Sequence, residues 1–233
     1  MDEARANAVS SDARIELRDV TVRHGRCIAL EGISGAFAGG SLTAVVGANG
    51  TGKSTLLGVI AGTIRPSTGT VLRAVDERPA YLPQVISIDI GYPLTVAELI
   101  ALGGWREFGS FWAPGVAVIE AAAEAARTVG LSGHLHRRIG QLSVGQLQRA
   151  LFARLILQDA SMILLDEPFA SVDAQTIEVL LERIEHWHRQ GRTVIVVLHD
   201  LGLVRSQFPD TLVLAQRCIA WGPTASALAA LAA

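Results

Sequence analysis

The sequence predicts an α/β fold in which a mainly parallel β-sheet is covered by helices. Short continuous apolar runs at 162–165 and 193–198 have the length and composition of buried strands. They alternate along the chain with segments of helical character, and the apolar run at 42–46 leads through a glycine-rich turn into a helical segment at 54–61. Alternation of this kind builds a parallel sheet with helices on its faces.

The N-terminal region is predicted to be β-structure. Apolar residues alternate with polar ones from 15 to 22, and a second apolar segment from 28 to 37 is interrupted by Glu31 and two glycines. Both patterns are typical of strands in a half-buried sheet, which we expect to be an antiparallel part of the fold. Residues 1–13 lack such a pattern and are predicted to be a disordered tail.

The middle of the chain is predicted to be a helical insertion. Segments 95–102 and 116–129 are rich in alanine and helical in character, and a stretch of glycine, tryptophan and phenylalanine separates them. The elements expected after this insertion are helices at 146–158 and 176–190 and a short strand at 212–214.

The length of the chain fits one domain. With 233 residues and 50% hydrophobic content, the chain is long enough to bury one substantial core. We therefore expect a single domain at 14–233, in which 14–85 and 143–233 form the core and about 86–142 form a helical subdomain.

Charge and cysteine content exclude several classes of function. Twenty basic and 22 acidic residues leave a net charge of −2, so nucleic acid is not predicted as a partner. Cys27 and Cys218 stand alone, without metal-ligand or redox spacing, which indicates a reducing compartment. The N-terminus has no apolar core typical of a secretory signal, and no apolar run approaches the length of a membrane span. Any membrane association is therefore expected to come through a partner.

A phosphate-binding loop is predicted at 47–54. Its sequence, Gly-Ala-Asn-Gly-Thr-Gly-Lys-Ser, matches the pattern G-x-x-x-x-G-K-[ST] between a strand and a helix. The glycines let backbone N–H groups turn toward phosphate oxygens, Lys53 neutralises the β- and γ-phosphates, and the Ser54 hydroxyl is a ligand for Mg²⁺. Lys53 is the only lysine of the chain. The predicted contacts with ATP in this loop are Gly47, Asn49, Gly50, Gly52, Lys53, Ser54 and Thr55.

Two carboxylates follow a buried strand directly. Asp166 and Glu167 come after the apolar run 162–165, at the edge where open α/β sheets bind ligands. Asp166 is predicted to bind Mg²⁺ through water, and Glu167 to orient or deprotonate the water that attacks the γ-phosphate. The alternative is an ordinary turn with solvated acids, ended by Pro168.

A second phosphate-facing element is predicted at 142–146. Its sequence, Leu-Ser-Val-Gly-Gln, precedes a helix, so Ser143 is placed as an N-cap that offers a hydroxyl and a helix dipole to an anion. The segment resembles the LSGGQ signature of ABC ATPases. Three more motifs resemble this family in the expected order: Gln84 after Tyr-Leu-Pro, Asp173 after Ser-Val, and His199 before Asp200.

The resemblance implies a fold and a set of roles. The fold is that of an ABC-type P-loop NTPase, and ATP is held between two ATPase subunits, here expected to be a homodimer. Ser143, Gly145 and Gln146 would contact the nucleotide of the other subunit, as would Asp173. Gln84 would contact Mg²⁺ and take part in catalysis. His199, as the switch histidine, would take part in catalysis.

The sequence departs from the family pattern at two positions. Val144 stands where the first signature glycine is usual, and a β-branched residue would be strained there if the backbone required a positive φ. His24 replaces the tyrosine that normally offers its ring to adenine, and an imidazole covers less area when it stacks.

Further segments resemble one branch of the family. Residues 92–96, 151–159 and 197–201 are similar to ATP-binding subunits of bacterial zinc, manganese and iron importers, and most similar to the zinc branch. This implies an integral membrane permease as partner, a periplasmic metal-binding protein acting indirectly, and a peripheral location on the cytoplasmic face of the inner membrane. A permease helix would dock near Gln84 and the aromatic residues Trp105, Phe108, Phe111 and Trp112, which alternatively fill a small satellite core.

Other functions stay open at this stage. An exporter or a lipid-extraction system would use the same ATPase. Family members that act on nucleic acid or ribosomes carry long coiled coils or two tandem ABC domains, and this sequence predicts neither feature. A regulatory module without catalysis is disfavoured by the combination of Lys53, Asp166, Glu167 and His199. The pairs His134-x-His136 and His186-x-His188 suggest a metal sensor, but residues i and i+2 of a helix point to different faces.

Overall fold

The computed structural model describes residues 13–73, 78–84, 89–105 and 115–231. The chain divides into two compact units. Unit 1 contains 1–79, 161–167 and 187–233, and unit 2 contains 80–160 and 168–186.

The strands are β1 Ala13–His24, β2 Cys27–Ala38, β3 Leu42–Val46, β4 Thr68–Arg73, β5 Ala80–Leu82, β6 Met162–Asp166, β7 Thr193–Val197, β8 Asp210–Ala215 and β9 Arg217–Pro223. The helices are α1 Lys53–Ala61, α2 Val96–Ala101, α3 Val116–Thr128, α4 Val144–Gln158, α5 Ala174–Arg189, α6 Leu201–Gln207 and α7 Thr224–Ala229.

Unit 1 contains two sheets. Neighbouring strands of the larger one follow the order β6, β7, β3, β8, β9, and the first four of these are parallel. Strand β9 lies at one edge of the sheet and is antiparallel to its neighbour β8. In the smaller sheet β1 lies between β2 and β4 and is antiparallel to both. The predicted α/β fold, with its mainly parallel sheet and its antiparallel N-terminal part, is confirmed.

The core of unit 1 lies around the central strands. Every residue of β3, β6 and β7 is buried, which explains why these strands are continuous apolar runs in the sequence. Helix α1 packs against β6. The one acidic residue within these strands is Asp166, which is the last residue of β6 and only 1% exposed.

Unit 2 is built around α4. Helices α2 and α3 and strand β5 pack against this helix. Helix α4 begins at Val144, two residues before the predicted start, because Ser143 and Gln146 form a capping box at its N-terminus. Thr95 and Glu98 form a second capping box at α2. Within the described ranges, no helix combines the length and hydropathy that crossing a membrane requires. The division into a core at 14–85 and 143–233 and a subdomain at about 86–142 stays a prediction.

Candidate nucleotide site

The predicted phosphate-binding loop connects β3 to α1. Gly52 precedes α1 in the left-handed conformation, with φ of 95°. A Cβ atom at this position would lie 2.3 Å from the carbonyl oxygen of Ala29 in β2, so both the backbone angle and the space require glycine. Helix α1 starts at once with Lys53, and the N–H groups of its first turn point back toward the loop. Asn49 and Gly50 are exposed at the tip of the loop, and Ser54 and Thr55 lie half-buried in the first helical turn.

Lys53 is held inside the curve of the loop. Its side chain is buried, and Nζ donates to the carbonyl oxygens of Gly47 at 2.9 Å and Ala48 at 2.8 Å. Burial lowers the pKa of this ammonium group, and the charges of Glu167 and Asp166 act against that shift. The positive charge therefore lies in the field of both carboxylates, at the place where the pattern predicts phosphate.

Strands β6 and β7 bring the acidic pair and a histidine together. Glu167 directly follows β6 and has a φ of 52°, and His199 comes two residues after β7. The two strands are parallel neighbours, so their carboxyl ends lie side by side. His199 Nε2 lies 2.6 Å from Glu167 Oε1, and the two side chains are 45% and 26% exposed. The imidazole N–H donates to the carboxylate, because an ionised carboxylate can only accept.

Asp200 fixes the segment that carries His199. Its Oδ1 accepts hydrogen bonds from the N–H groups of Gly202 at 2.8 Å and Leu203 at 3.1 Å, which caps α6. The sequence-based assignment gave no role to Asp200. The sequence does contain a signal for this cap, because an aspartate directly before a helical segment is a typical N-cap residue.

The loop, the acidic pair and the histidine lie at one edge of the sheet. Strand β3, which leads into the loop, is the parallel neighbour of β7. Parallel strands end at the same edge, where doubly wound sheets bind ligands. Ser54 and Asp166 supply a hydroxyl and a carboxylate, hard oxygen ligands of the kind that Mg²⁺ prefers, so the residues present fit this ion.

His24 is exposed as the last residue of β1 and pairs with Cys27 across the hairpin to β2. The same β2 strand approaches the phosphate-binding loop, since the Ala29 carbonyl lies against Gly52. Stacking of His24 on adenine stays a prediction.

The signature segment of unit 2 forms the N-terminus of α4. Ser143 Oγ accepts from the Gln146 N–H at 3.2 Å, and Gln146 Oε1 accepts from the Ser143 N–H at 3.0 Å. Val144 is helical and 56% exposed, and its backbone does not have a positive φ. The backbone strain considered for a β-branched residue at this position therefore does not arise.

Gly145 is needed for a close approach that the sequence did not indicate. A Cβ atom on Gly145 would lie 2.6 Å from the carbonyl oxygen of Ser171. Ser171 has a φ of 60° and belongs to the same unit, two residues before Asp173. The signature segment and the Ser-Val-Asp segment are thus packed backbone against backbone.

Asp173 organises the start of α5. Its carboxylate accepts from the Thr176 N–H and from the Thr176 hydroxyl, both at 2.9 Å. These hydrogen bonds lower the pKa of Asp173, with that from the Thr176 N–H contributing most. Gln84 follows β5 and is half-buried. The nucleotide contacts assigned to Asp173 and Gln84 stay predictions.

The fold and the site define a phosphate-loop ATPase with a doubly wound sheet. A family-level comparison agrees, because residues 30–170 match the ABC transporter family.

Relatives of this chain are ATP-binding proteins of transport systems. The manganese transport system ATP-binding protein MntB of Listeria monocytogenes is 34% identical over 215 residues, which cover 90% of this chain and 90% of that protein. The zinc transport system ATP-binding protein TroB of Treponema pallidum is 34% identical over 219 residues, covering 91% and 82%. This chain belongs to the ABC transporter family and is an ATP-binding ATPase of that family.

Solved structures show the same fold. A dimeric bacterial ABC transporter cassette superimposes with a TM-score of 0.80 at 24% identity, covering 90% of this chain and 98% of that one. A transporter described as of the metal-chelate type, in an inward-facing conformation, has a TM-score of 0.78 at 26% identity, covering 92% and 85%.

Proposed function

We propose that this chain powers a bacterial importer of a divalent transition metal such as zinc or manganese. It would work as a peripheral ATPase on the cytoplasmic face of the inner membrane and drive a separate permease. The observation that carries the catalytic part is the hydrogen bond between Glu167 and His199 at the sheet edge that also holds Lys53.

Phosphate binding, Mg²⁺ binding and proton transfer would each depend on different residues. Lys53 and the loop amides bind the β- and γ-phosphates, and Ser54 and Asp166 would hold Mg²⁺. Gln84, which belongs to unit 2, would be a further ligand of this ion. When bound, this ion neutralises charge on the phosphate oxygens. Glu167 accepts the proton of the attacking water, and His199 holds the Glu167 carboxylate in position.

A homodimer would complete each site. Ser143, Gly145 and Gln146 of one protomer would face the γ-phosphate held by Lys53 of the other, with Asp173 nearby. This arrangement is supported by the capped, exposed start of α4 and by the family to which the chain belongs. Association would depend on ATP, because the phosphate is the group that the two protomers share.

The metal itself would be handled by other proteins. The permease and a periplasmic metal-binding protein would select the ion, and this chain would supply energy. The manganese and zinc systems named for its relatives support this cargo class. Among the described residues, no group of three or more His, Cys, Asp or Glu side chains could hold a metal ion.

The test of the ATPase mechanism is the substitution Glu167→Gln. Its amide cannot accept the water proton, so we expect Mg-ATP turnover to fall by about 10²–10⁴-fold. ATP binding should persist, and the protein should shift from monomer to dimer when ATP is added. Unchanged turnover would refute the role of Glu167, and a protein that stays monomeric with ATP would refute the dimeric site.

The cargo is tested separately. The chain would be co-purified with its membrane partner and reconstituted into vesicles with ATP enclosed. Uptake of radioactive zinc and manganese would then be compared between wild type and Glu167→Gln. Metal uptake that needs ATP and is lost in the variant supports import, and its absence in an ATP-hydrolysing preparation contradicts the assigned cargo.

A further inference from the structure

One histidine of the His134-x-His136 pair is bonded into the start of α4. Nε2 of His134 lies 3.1 Å from Nε2 of Gln146. The side-chain oxygen of the same Gln146 accepts from the Ser143 N–H, and its backbone N–H donates to Ser143 Oγ. His134, Gln146 and Ser143 therefore form one hydrogen-bonded chain within unit 2. It ends on the serine that would face the phosphate of a second protomer.

This chain fixes both the orientation of the Gln146 amide and the tautomer of the imidazole. The Ser143 N–H requires an acceptor, so the carboxamide oxygen of Gln146 faces Ser143 and its NH₂ group faces His134. An NH₂ group can only donate. Nε2 of His134 is therefore the acceptor, and the ring is neutral with its proton on Nδ1.

The imidazole is an unfavourable choice for packing alone. Nδ1 of His134 is buried and, within the part of the chain that the structure describes, has no hydrogen-bond partner. Burying a polar atom without a partner costs free energy that an apolar ring of similar size would avoid. The bond from Gln146 to Nε2 is the one interaction here that requires an acceptor nitrogen.

We propose that His134 is a positioning residue for the signature half-site of the ATP dimer. The ring does not touch the nucleotide. It holds the Gln146 side chain in the orientation that caps α4, and thereby holds the Ser143 hydroxyl and the first helical turn in place. This inference rests on the dimeric site proposed above.

The first test is spectroscopic and uses the wild-type protein. Histidine labelled with ¹⁵N and ¹³C would be observed by NMR at neutral pH, and the His134 signals assigned from their loss in His134→Phe. The expected result is a neutral ring protonated on Nδ1 and unprotonated on Nε2. A His134 ring protonated on Nε2 would overturn the inference without touching the proposed ATPase function.

The second test measures dimer formation in the Glu167→Gln background. By analytical ultracentrifugation with ATP, His134→Phe should weaken the dimer about tenfold, because each of the two half-sites loses one ordinary hydrogen bond. The affinity of the monomer for ATP should stay unchanged. His134→Gln, whose side-chain oxygen can still accept from Gln146, should restore most of the dimer affinity. The matched control is His136→Phe, at an exposed neighbouring histidine.

The outcomes separate the two proposals. If His134→Phe and His136→Phe dimerise equally well, or if His134→Gln is as weak as His134→Phe, His134 has no positioning role. If the Glu167→Gln parent itself remains monomeric with ATP, the dimeric site fails, and the role given to His134 fails with it.

Discussion

Glu167 Oε1 and His199 Nε2 lie 2.6 Å apart although 32 positions separate these residues in the chain. The pair forms because β6 and β7 are parallel neighbours that end at the same edge of the sheet. Glu167 also has a left-handed backbone conformation, with φ of 52°, which is unfavourable for a non-glycine residue. Such conformations persist where the surrounding structure enforces them, and they are frequent at functional sites.

This contact predicts that Glu167 and His199 act as one catalytic unit. His199→Ala should lower ATP turnover by about 10²-fold or more, because the carboxylate loses the group that orients it. The double variant Glu167→Gln/His199→Ala should be little worse than Glu167→Gln alone, since residues that act as a unit are strongly non-additive. Steady-state ATPase rates of the four proteins check this. His136→Ala is the control, and rate losses that simply multiply would contradict the coupling.

The contact between Gly145 and Ser171 predicts a loss of dimer formation without loss of ATP binding. In Gly145→Ala the new methyl group would lie 2.6 Å from the Ser171 carbonyl oxygen, so the two segments must move apart. Overpacking of this kind costs about 1–3 kcal/mol. ATP-dependent dimerisation should weaken, while ATP affinity of the monomer, which depends on the loop around Lys53, should remain.

The control for this substitution is Gly133→Ala. The added Cβ would meet no atom within 4 Å at that position, so dimerisation should equal that of wild type. If Gly145→Ala dimerised as well as Gly133→Ala, the packing of the signature segment on Ser171 would have no functional consequence.

Local sequence signals were sufficient for the central strands and the loop. Strands β3, β6 and β7 are apolar throughout or nearly so because both of their faces are buried. The phosphate-binding loop and the acidic pair were predicted because glycine, lysine and carboxylate positions there follow directly from the chemistry of phosphate and its metal.

Strands β4 and β9 were not predicted. Strand β4 has the sequence Thr-Gly-Thr-Val-Leu-Arg, and most of it is exposed. It becomes a strand through antiparallel pairing with β1, as β9 does through pairing with β8. Pairing of β4 with a strand far earlier in the chain leaves little trace in local hydrophobic periodicity. Strand β9 directly follows β8 in the chain, but all of its side chains are exposed or half-buried, so its sequence shows no buried face.

The same limit applies to the site. The sequence placed Glu167 and His199 in one site only through family resemblance, because the neighbour order of β6 and β7 is not a local property. The contact between Gly145 and Ser171, and the bond from Gln146 to His134, likewise arise from tertiary packing. Hydrophobic periodicity and motif spacing carry no information on either.

Asp173 predicts a dependence of stability on pH. Hydrogen bonds from Thr176 lower the pKa of this carboxyl in the folded protein, so the unfolded chain binds its proton more readily. The stabilising contribution is therefore complete above the ordinary pKa of an aspartate and is lost as the pH falls through the lowered value. Urea unfolding of wild type and Asp173→Asn across the acidic range measures it.

The difference in unfolding free energy between these two proteins should shrink as the pH falls. Glu178→Gln, at an exposed carboxyl in the second turn of the same helix, serves as the control for loss of one negative charge. A difference between wild type and Asp173→Asn that does not change with pH would show that the hydrogen bonds from Thr176 do not depend on the charge of Asp173.

The exposed aromatic residues of unit 2 predict a docking surface for the permease. Trp105 is 45% exposed and Tyr92 is 61% exposed, so both rings are accessible to a partner. Phe108, Phe111 and Trp112, assigned to the same surface from the sequence, lie outside the described residues.

Trp105→Ala and Trp112→Ala should leave the basal ATPase rate intact and weaken its stimulation by the reconstituted permease. Ile219→Ala, at a side chain of unit 1 that is 50% exposed, is the matched control and should change neither rate. Equal loss of basal and stimulated activity in the tryptophan variants would mean that these rings support the fold of unit 2 and do not bind a partner.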